Sequence, residues 1–194
     1  MSSRSSITST IVGGPLSATP LRQVGLVVAG SLALAVSAQI SIPMWPVPLT
    51  LELYAVFLIG AFYGWRLGVA TIVAWLLQGS LGLPVFAHGT GGLASFTGPT
   101  AGYLLSFPLV GALAGLVAMR NRQVFRPLRV LALLWLAGMV CLLAGWAWLS
   151  TIMGVRQAWV IGVVPFLLCD AIKAALAAAT LAVWRTLKPR QPTL

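Results

Sequence analysis

Gly82-Leu-Pro-Val-Phe-Ala-His-Gly-Thr-Gly-Gly-Leu-Ala-Ser-Phe-Thr-Gly-Pro-Thr-Ala-Gly-Tyr103 is the longest stretch of this chain that cannot form a buried helix. Five glycines and two prolines between Gly82 and Pro99 force its backbone to turn repeatedly. The stretch has no Lys, Arg, Asp or Glu, yet it keeps Val85, Phe86, Leu93 and Phe96. An uncharged, glycine-rich loop with apolar side chains can pack closely over something small. A plain connection between two membrane helices has the same composition, so the loop alone leaves both readings open.

What surrounds the loop narrows the choice. Of 194 residues, 59% are hydrophobic and only 7% charged, with a mean hydropathy of +0.99. Soluble domains carry about 25% charged residues, so this composition belongs to an integral membrane protein. The apolar runs are continuous and do not alternate, which selects helices over a barrel. The expected fold is an all-α membrane protein, a six-transmembrane-helix bundle with both termini cytoplasmic. Residues 1–20, rich in Ser and Thr, read as a disordered cytoplasmic tail without a signal-peptide pattern. Residues 21–187 form the membrane domain and 188–194 a basic cytoplasmic tail.

The six spans are expected at Leu21–Ile40, Leu49–Tyr63, Leu67–Leu81, Thr100–Met119, Val130–Leu149 and Pro165–Leu187. Pro43, Pro46 and Pro48 separate the first two, and a tight Gly64-Trp65-Arg66 turn joins the second to the third. A polar-interrupted stretch, Ser150–Val164, precedes the last. The second and third spans are short for a hydrocarbon core of about 30 Å, so the flanking Pro- and Gly-rich loops are expected to dip into the bundle.

Charge sets the orientation. With six spans and cytoplasmic termini, Arg4, Arg22, Arg66, Arg120, Arg122, Arg126, Arg129, Arg185, Lys188 and Arg190 all fall inside. Arg156 alone falls outside, and Lys173 lies within the last span. That asymmetry follows the positive-inside rule, and it excludes reading the net charge of +10 as a nucleic-acid footprint. Both the 82–99 loop and the Pro43–Pro48 loop therefore face outside. Trp146, Trp148 and Trp159 suit the outer interface, and Trp65 and Trp184 the inner one. Trp75 lies mid-span, where it packs against neighbours or walls a cavity. Cys141 and Cys169 read as small packing residues.

The only acidic residues are Glu52 and Asp170. A charge at membrane depth costs about 2.5–3.5 kcal/mol or more, so each needs a reason. Lys173 lies three residues after Asp170 on one helix face. The two form either a self-neutralising internal pair or a site turned to a polar ligand from outside, with Asp170 accepting from N–H groups and Lys173 holding an anion. Glu52, near the start of the second span, could equally be capped by helix N–H groups and face outer water. His88, Thr90 and Gln78 are the remaining polar side chains near the outer mouth, with no metal-ligand spacing around His88. No nucleophile elbow, zinc motif, aspartate dyad or phosphate loop is present, so neither an enzyme nor an ATPase is expected. Gly25, Ala29, Ala33 and Ser37 recur every four residues on the first span, a small-residue stripe that packs within the bundle or docks a separate membrane subunit.

Taken together, Pro48-Leu-Thr-Leu-Glu52, Gly82-Leu-Pro-Val-Phe-Ala, Gly91-Gly92, Gly98-Pro-Thr-Ala-Gly-Tyr103 and Pro165-Phe-x-x-x-Asp170-x-x-Lys173 resemble the BioY family, the biotin-capturing S components of energy-coupling factor transporters. The resemblance covers Leu21 to Leu187. It implies a non-enzymatic, cofactor-free subunit of a bacterial cell membrane that binds biotin from outside, beneath the 82–99 loop. It also implies a transmembrane coupling subunit and two cytoplasmic ATPases as partners. Asp170 would accept from the ureido N–H groups and Lys173 would pair with the valerate carboxylate. Thr90, His88, Gly91, Gly92, Gln78, Trp75 and Tyr103 would complete the site, and Ala29, Ala33 and Ser37 would face the coupling subunit. Glu52 stands where the family pattern has Gln, and Thr90 where some members have Arg, which leaves Lys173 as the cation for the carboxylate. Another small vitamin as substrate, an intramembrane lipid enzyme, and a non-catalytic assembly subunit are the competing readings.

Overall fold

Pro20 occupies the first turn of the first helix, where its missing N–H is not needed, and α1 runs Pro20–Gln39. The computed structural model describes residues 19–121 and 126–187. Most of the expected tails, with Arg4, Lys188 and Arg190, and also Arg122 between the fourth and fifth expected spans, lie outside the described residues. After α1 the proline loop is closed by a two-residue ladder, β1 (Ser41–Ile42) antiparallel to β2 (Leu49–Thr50), with Ser41 opposite Thr50. The second span was expected from Leu49. Leu49 and Thr50 instead pair with β1, and the helix begins at Glu52.

α2 spans Glu52–Ser80 but carries a non-helical Gly64 (φ 79°, ψ 166°), a conformation open to glycine at little cost. A Cβ on Gly68 would lie 3.0 Å from the Gly60 Cα. In a straight helix residues eight apart are separated by about 12 Å, so the chain doubles back at Gly64 and the legs 52–63 and 65–80 run antiparallel. The turn read from Gly64-Trp65-Arg66 is where the sequence placed it.

The 82–99 loop, which forms the lid of the cavity described below, follows as two short 3₁₀ turns, Ala87–Gly89 and Leu93–Phe96. Then come α3 (Ala101–Arg120), α4 (Pro127–Met153), α5 (Val155–Gly162) and α6 (Val164–Leu187). α4 continues past the expected end at Leu149 because Ser150 and Thr151 bond back to the carbonyls of Trp146 and Trp148, which keeps polar side chains compatible with helix. Gly154, at φ 87°, ends it. The stretch expected to be interrupted is thus mostly helical.

Packing is closest between α2 and α3. A Cβ on Gly60 would collide with the Gly111 carbonyl, and one on Gly115 would sit 2.5 Å from the Trp65 amide nitrogen. Trp75, Phe57, Leu34, Ile72, Leu134 and Leu142 are fully buried between the helices. Leu21, Val24, Leu32, Leu136, Leu168 and Leu176 point outward, as expected of side chains that meet lipid. Among the described residues, five helical stretches are long and apolar enough to cross a membrane, and the chain is a multi-pass membrane protein. One end of the bundle gathers Arg120, Arg126 and Arg185, whose guanidinium donates to the Asn121 carbonyl at 2.6 Å. The other end gathers the proline hairpin, the lid and α5.

Candidate functional site

The lid is fastened from below and from the side. Below it, the fully buried Trp75 donates its indole N–H to the Val85 carbonyl at 3.1 Å and meets the Phe86 ring edge-on at 5.1 Å. Phe86 abuts Gly79 so closely that a Cβ there would overlap its ring, and Phe96 closes on its other side at 5.7 Å. Gly92 N–H donates to the Gly79 carbonyl at 2.7 Å. From the side, Gln39 at the end of α1 donates to the Phe86 carbonyl at 3.0 Å and accepts from the Gly89 N–H at 2.9 Å. One amide thus satisfies a donor and an acceptor of the loop backbone. Trp148 holds the far end of the loop, donating to the Gly98 carbonyl at 2.9 Å.

Between this lid and the helices lies a cavity of about 430 Å³, within the range of small-molecule sites. The exposed lining residues come from the 82–99 loop, among them His88 and Thr90, while Pro46 of the proline loop is half-buried. Most buried ones come from the helices, with Leu53, Leu104, Phe107 and Phe166 supplying apolar wall, and the loops add Val47 and Phe86. His88 has a left-handed backbone (φ 58°), and Gly91 lies against the Leu83 carbonyl with no room for a side chain.

The polar part of the wall is charged. Lys173 Nζ donates to Asp170 Oδ1 at 2.8 Å, and both residues are buried, 7% and 3% exposed. This is the internal pair the spacing allowed, but it also lines the cavity, so the two readings of it do not exclude each other. Glu52 joins them on the wall at 6% exposure. It neither caps α2 toward water nor faces outward, which corrects that reading. Thr50 donates to its Oε2 at 2.8 Å, while Oε1 has no protein partner among the described residues. Tyr103 closes the floor, its ring against Gly145 and its hydroxyl donating to the Gly162 carbonyl at 2.7 Å.

The structure therefore brings Asp170, Lys173, His88, Thr90, Gly91 and Tyr103 together around one cavity. Trp75, Gln78 and Gly92 do not line it. Trp75 and Gly92 support the lid, and Gln78 donates to Ser31 on α1 at 3.2 Å. The 65–80 leg faces the underside of the loop, so its polar and aromatic residues act there. On α1, Gly25, Ala29 and Ala33 are exposed, but Ser37 is buried and bonded to the Leu34 carbonyl at 2.7 Å, so it is not part of an outward stripe. Sequence reasoning missed Gln39 altogether, and also Cys141 and Phe107 on the wall. A polar residue at a helix end and apolar residues mid-span gave no signal to separate them from ordinary packing. Among the described residues no His, Cys, Asp or Glu cluster could hold a metal.

The chain is similar to known proteins over most of its length. The BioY family profile matches residues 6–190. The "Probable biotin transporter BioY" of Pyrococcus horikoshii is 40% identical, covering 80% of this chain and 91% of that protein. The "Biotin transporter BioY" of Thermotoga maritima is 36% identical over 75% and 85% of the two chains. A crystal structure described as the S-component for biotin from an ECF-type ABC transporter superposes with a TM-score of 0.76, covering 88% of this chain and 96% of that one at 24% identity. At that identity it speaks to the fold.

Proposed function

This chain belongs to the BioY family, and from that premise we propose that it is the biotin-binding S component of an energy-coupling factor uptake transporter, capturing biotin from outside beneath the 82–99 loop. The observation that carries the reading is a lidded cavity of small-molecule size with a buried, ion-paired Asp170 and Lys173 on an otherwise largely apolar wall. Biotin offers an apolar thioether ring, a hydrogen-bonding ureido edge and an anionic tail. Apolar walls suit the first, and water exclusion strengthens the few polar contacts available to the others.

The 2.8 Å separation of Nζ and Oδ1 changes how the pair is used. The ureido and carboxylate groups sit at opposite ends of biotin, so two atoms in hydrogen-bond contact meet the same end of it. In this proposal Asp170 accepts from a ureido N–H, Lys173 donates to the ureido carbonyl, and the carboxylate lies toward the mouth near His88, Thr90 and Gly91. That replaces the expectation that Lys173 holds the carboxylate.

The proposal extends to topology and partners. The reversal at Gly64 divides α2 into two legs, which supports six crossings with both termini and the arginine-rich turns on the cytoplasmic side. The exposed Ala29 and Ala33 suit close approach of a transmembrane coupling subunit, with ATP hydrolysis in two separate cytoplasmic subunits. Calorimetric titration of the detergent-purified protein against a panel of vitamins tests the reading. Tight binding of biotin alone is expected, and tight binding of a different vitamin, or of none, overturns it.

A further inference from the structure

Glu52 brings to the cavity wall a carboxyl group whose chemistry the fold leaves unfinished. Its carboxylate is buried, and Thr50 satisfies Oε2. Its Oε1 is the only buried side-chain oxygen or nitrogen among the described residues without a hydrogen-bond partner. A buried acceptor left unmade is costly, so folding gains nothing from placing it there. Asp170 has its own lysine. The cavity wall therefore holds two carboxyl groups beside one ammonium, an acceptor-rich end that suits a guest's hydrogen-bond donors.

We infer that Glu52 is a further substrate contact: its Oε1 accepts one N–H of the guest's cyclic urea while Asp170 accepts the other. The assignment rests on the biotin reading above and deepens it. A cyclic urea presents two N–H donors on opposite sides of its carbonyl. Two carboxyl acceptors and one ammonium donor on the same wall match that pattern group for group. Thr50 fixes the rotamer, since its hydroxyl holds Oε2 and leaves Oε1 for the guest.

The test is a cycle between protein and ligand. Wild type, E52L and E52A are titrated with biotin and with two analogues, each methylated on one ureido nitrogen. Wild type is expected to lose about tenfold or more in affinity for either analogue, as befits a lost bond to a charged acceptor. In the variants, biotin should bind about tenfold more weakly, and the methyl penalty at one nitrogen should shrink to about threefold or less while the other persists. The melting temperature of E52L without biotin should stay level or rise, because an apolar side chain of similar volume replaces an unsatisfied buried oxygen; a merely structural Glu52 would lower it. Full penalties at both nitrogens in both variants overturn this contact while leaving biotin binding standing. A wild-type protein that does not bind biotin overturns the functional reading and this inference with it. Either variant alone suffices for the cycle, so misfolding of one leaves the other to decide.

Discussion

Replacing Asp170 and Lys173, singly and together, separates what the pair does for the fold from what it does for the guest. Lys173→Met leaves a buried carboxylate without its partner, and breaking such a pair from one side costs about 3–5 kcal/mol. For a chain of this size that lowers the melting temperature by roughly 6–20 °C. The double variant D170L/K173M removes both charges and the cost of desolvating them. Apolar replacement of a buried pair is often neutral or stabilising by about 1–4 kcal/mol, so its melting temperature should return to wild type or exceed it. Binding should not return. Two charge-assisted hydrogen bonds at about 1.5–3 kcal/mol each amount to roughly 10²–10⁴-fold in Kd. Thermal unfolding in detergent and calorimetric titration with biotin read the two effects on the same samples. A double variant that binds biotin with wild-type affinity would refute the reasoning, because the pair would then be an internal ion pair and nothing more.

The other expectations concern the lid and the backbone beneath it. Gln39→Leu removes two hydrogen bonds to the loop backbone, worth about 1 kcal/mol each, so biotin should dissociate up to roughly thirtyfold faster in stopped-flow measurements, with the loss confined to the loop and little change in melting temperature. Gly79→Ala drives a methyl into the Phe86 ring, which should speed hydrogen exchange across 83–92 and weaken binding; unchanged exchange would mean the ring has room to move. Gly60→Ala pushes α2 off the Gly111 carbonyl, an overpacking error of about 1–3 kcal/mol that should appear as a lower melting temperature with the lid otherwise intact.

Most of the helices were legible because the signal for a membrane span is crude and long: continuous apolar residues, with glycines and prolines between them. The reversal at Gly64 could be read because only glycine takes that conformation cheaply and an arginine follows it. The ends were less legible. Ser150 and Thr151 look like a helix terminus in sequence but satisfy their hydroxyls on preceding carbonyls and carry α4 onward. Leu49 and Thr50 look like the start of an apolar span, and only the partner strand at Ser41–Ile42 shows otherwise.

The site divides along the same line. Asp170 and Lys173 could be paired from their spacing on one helix. Glu52 could not be joined to them, because a carboxylate at a helix start has an ordinary local explanation and its true neighbours come from elsewhere in the chain. Gln39 needs a contact across 47 residues to acquire any meaning. Trp75 and Gln78 lay on the right leg, but which way that leg faced was a matter of tertiary packing.

Trp75 carries one consequence beyond support of the lid. Of the eight tryptophans in the chain it alone is fully buried, and its N–H and its ring both rest on the loop that covers the cavity. Its fluorescence should therefore stand to the blue of the others and shift to the red when the loop lifts, giving the molecule a native optical signal for opening and closing that requires no attached dye.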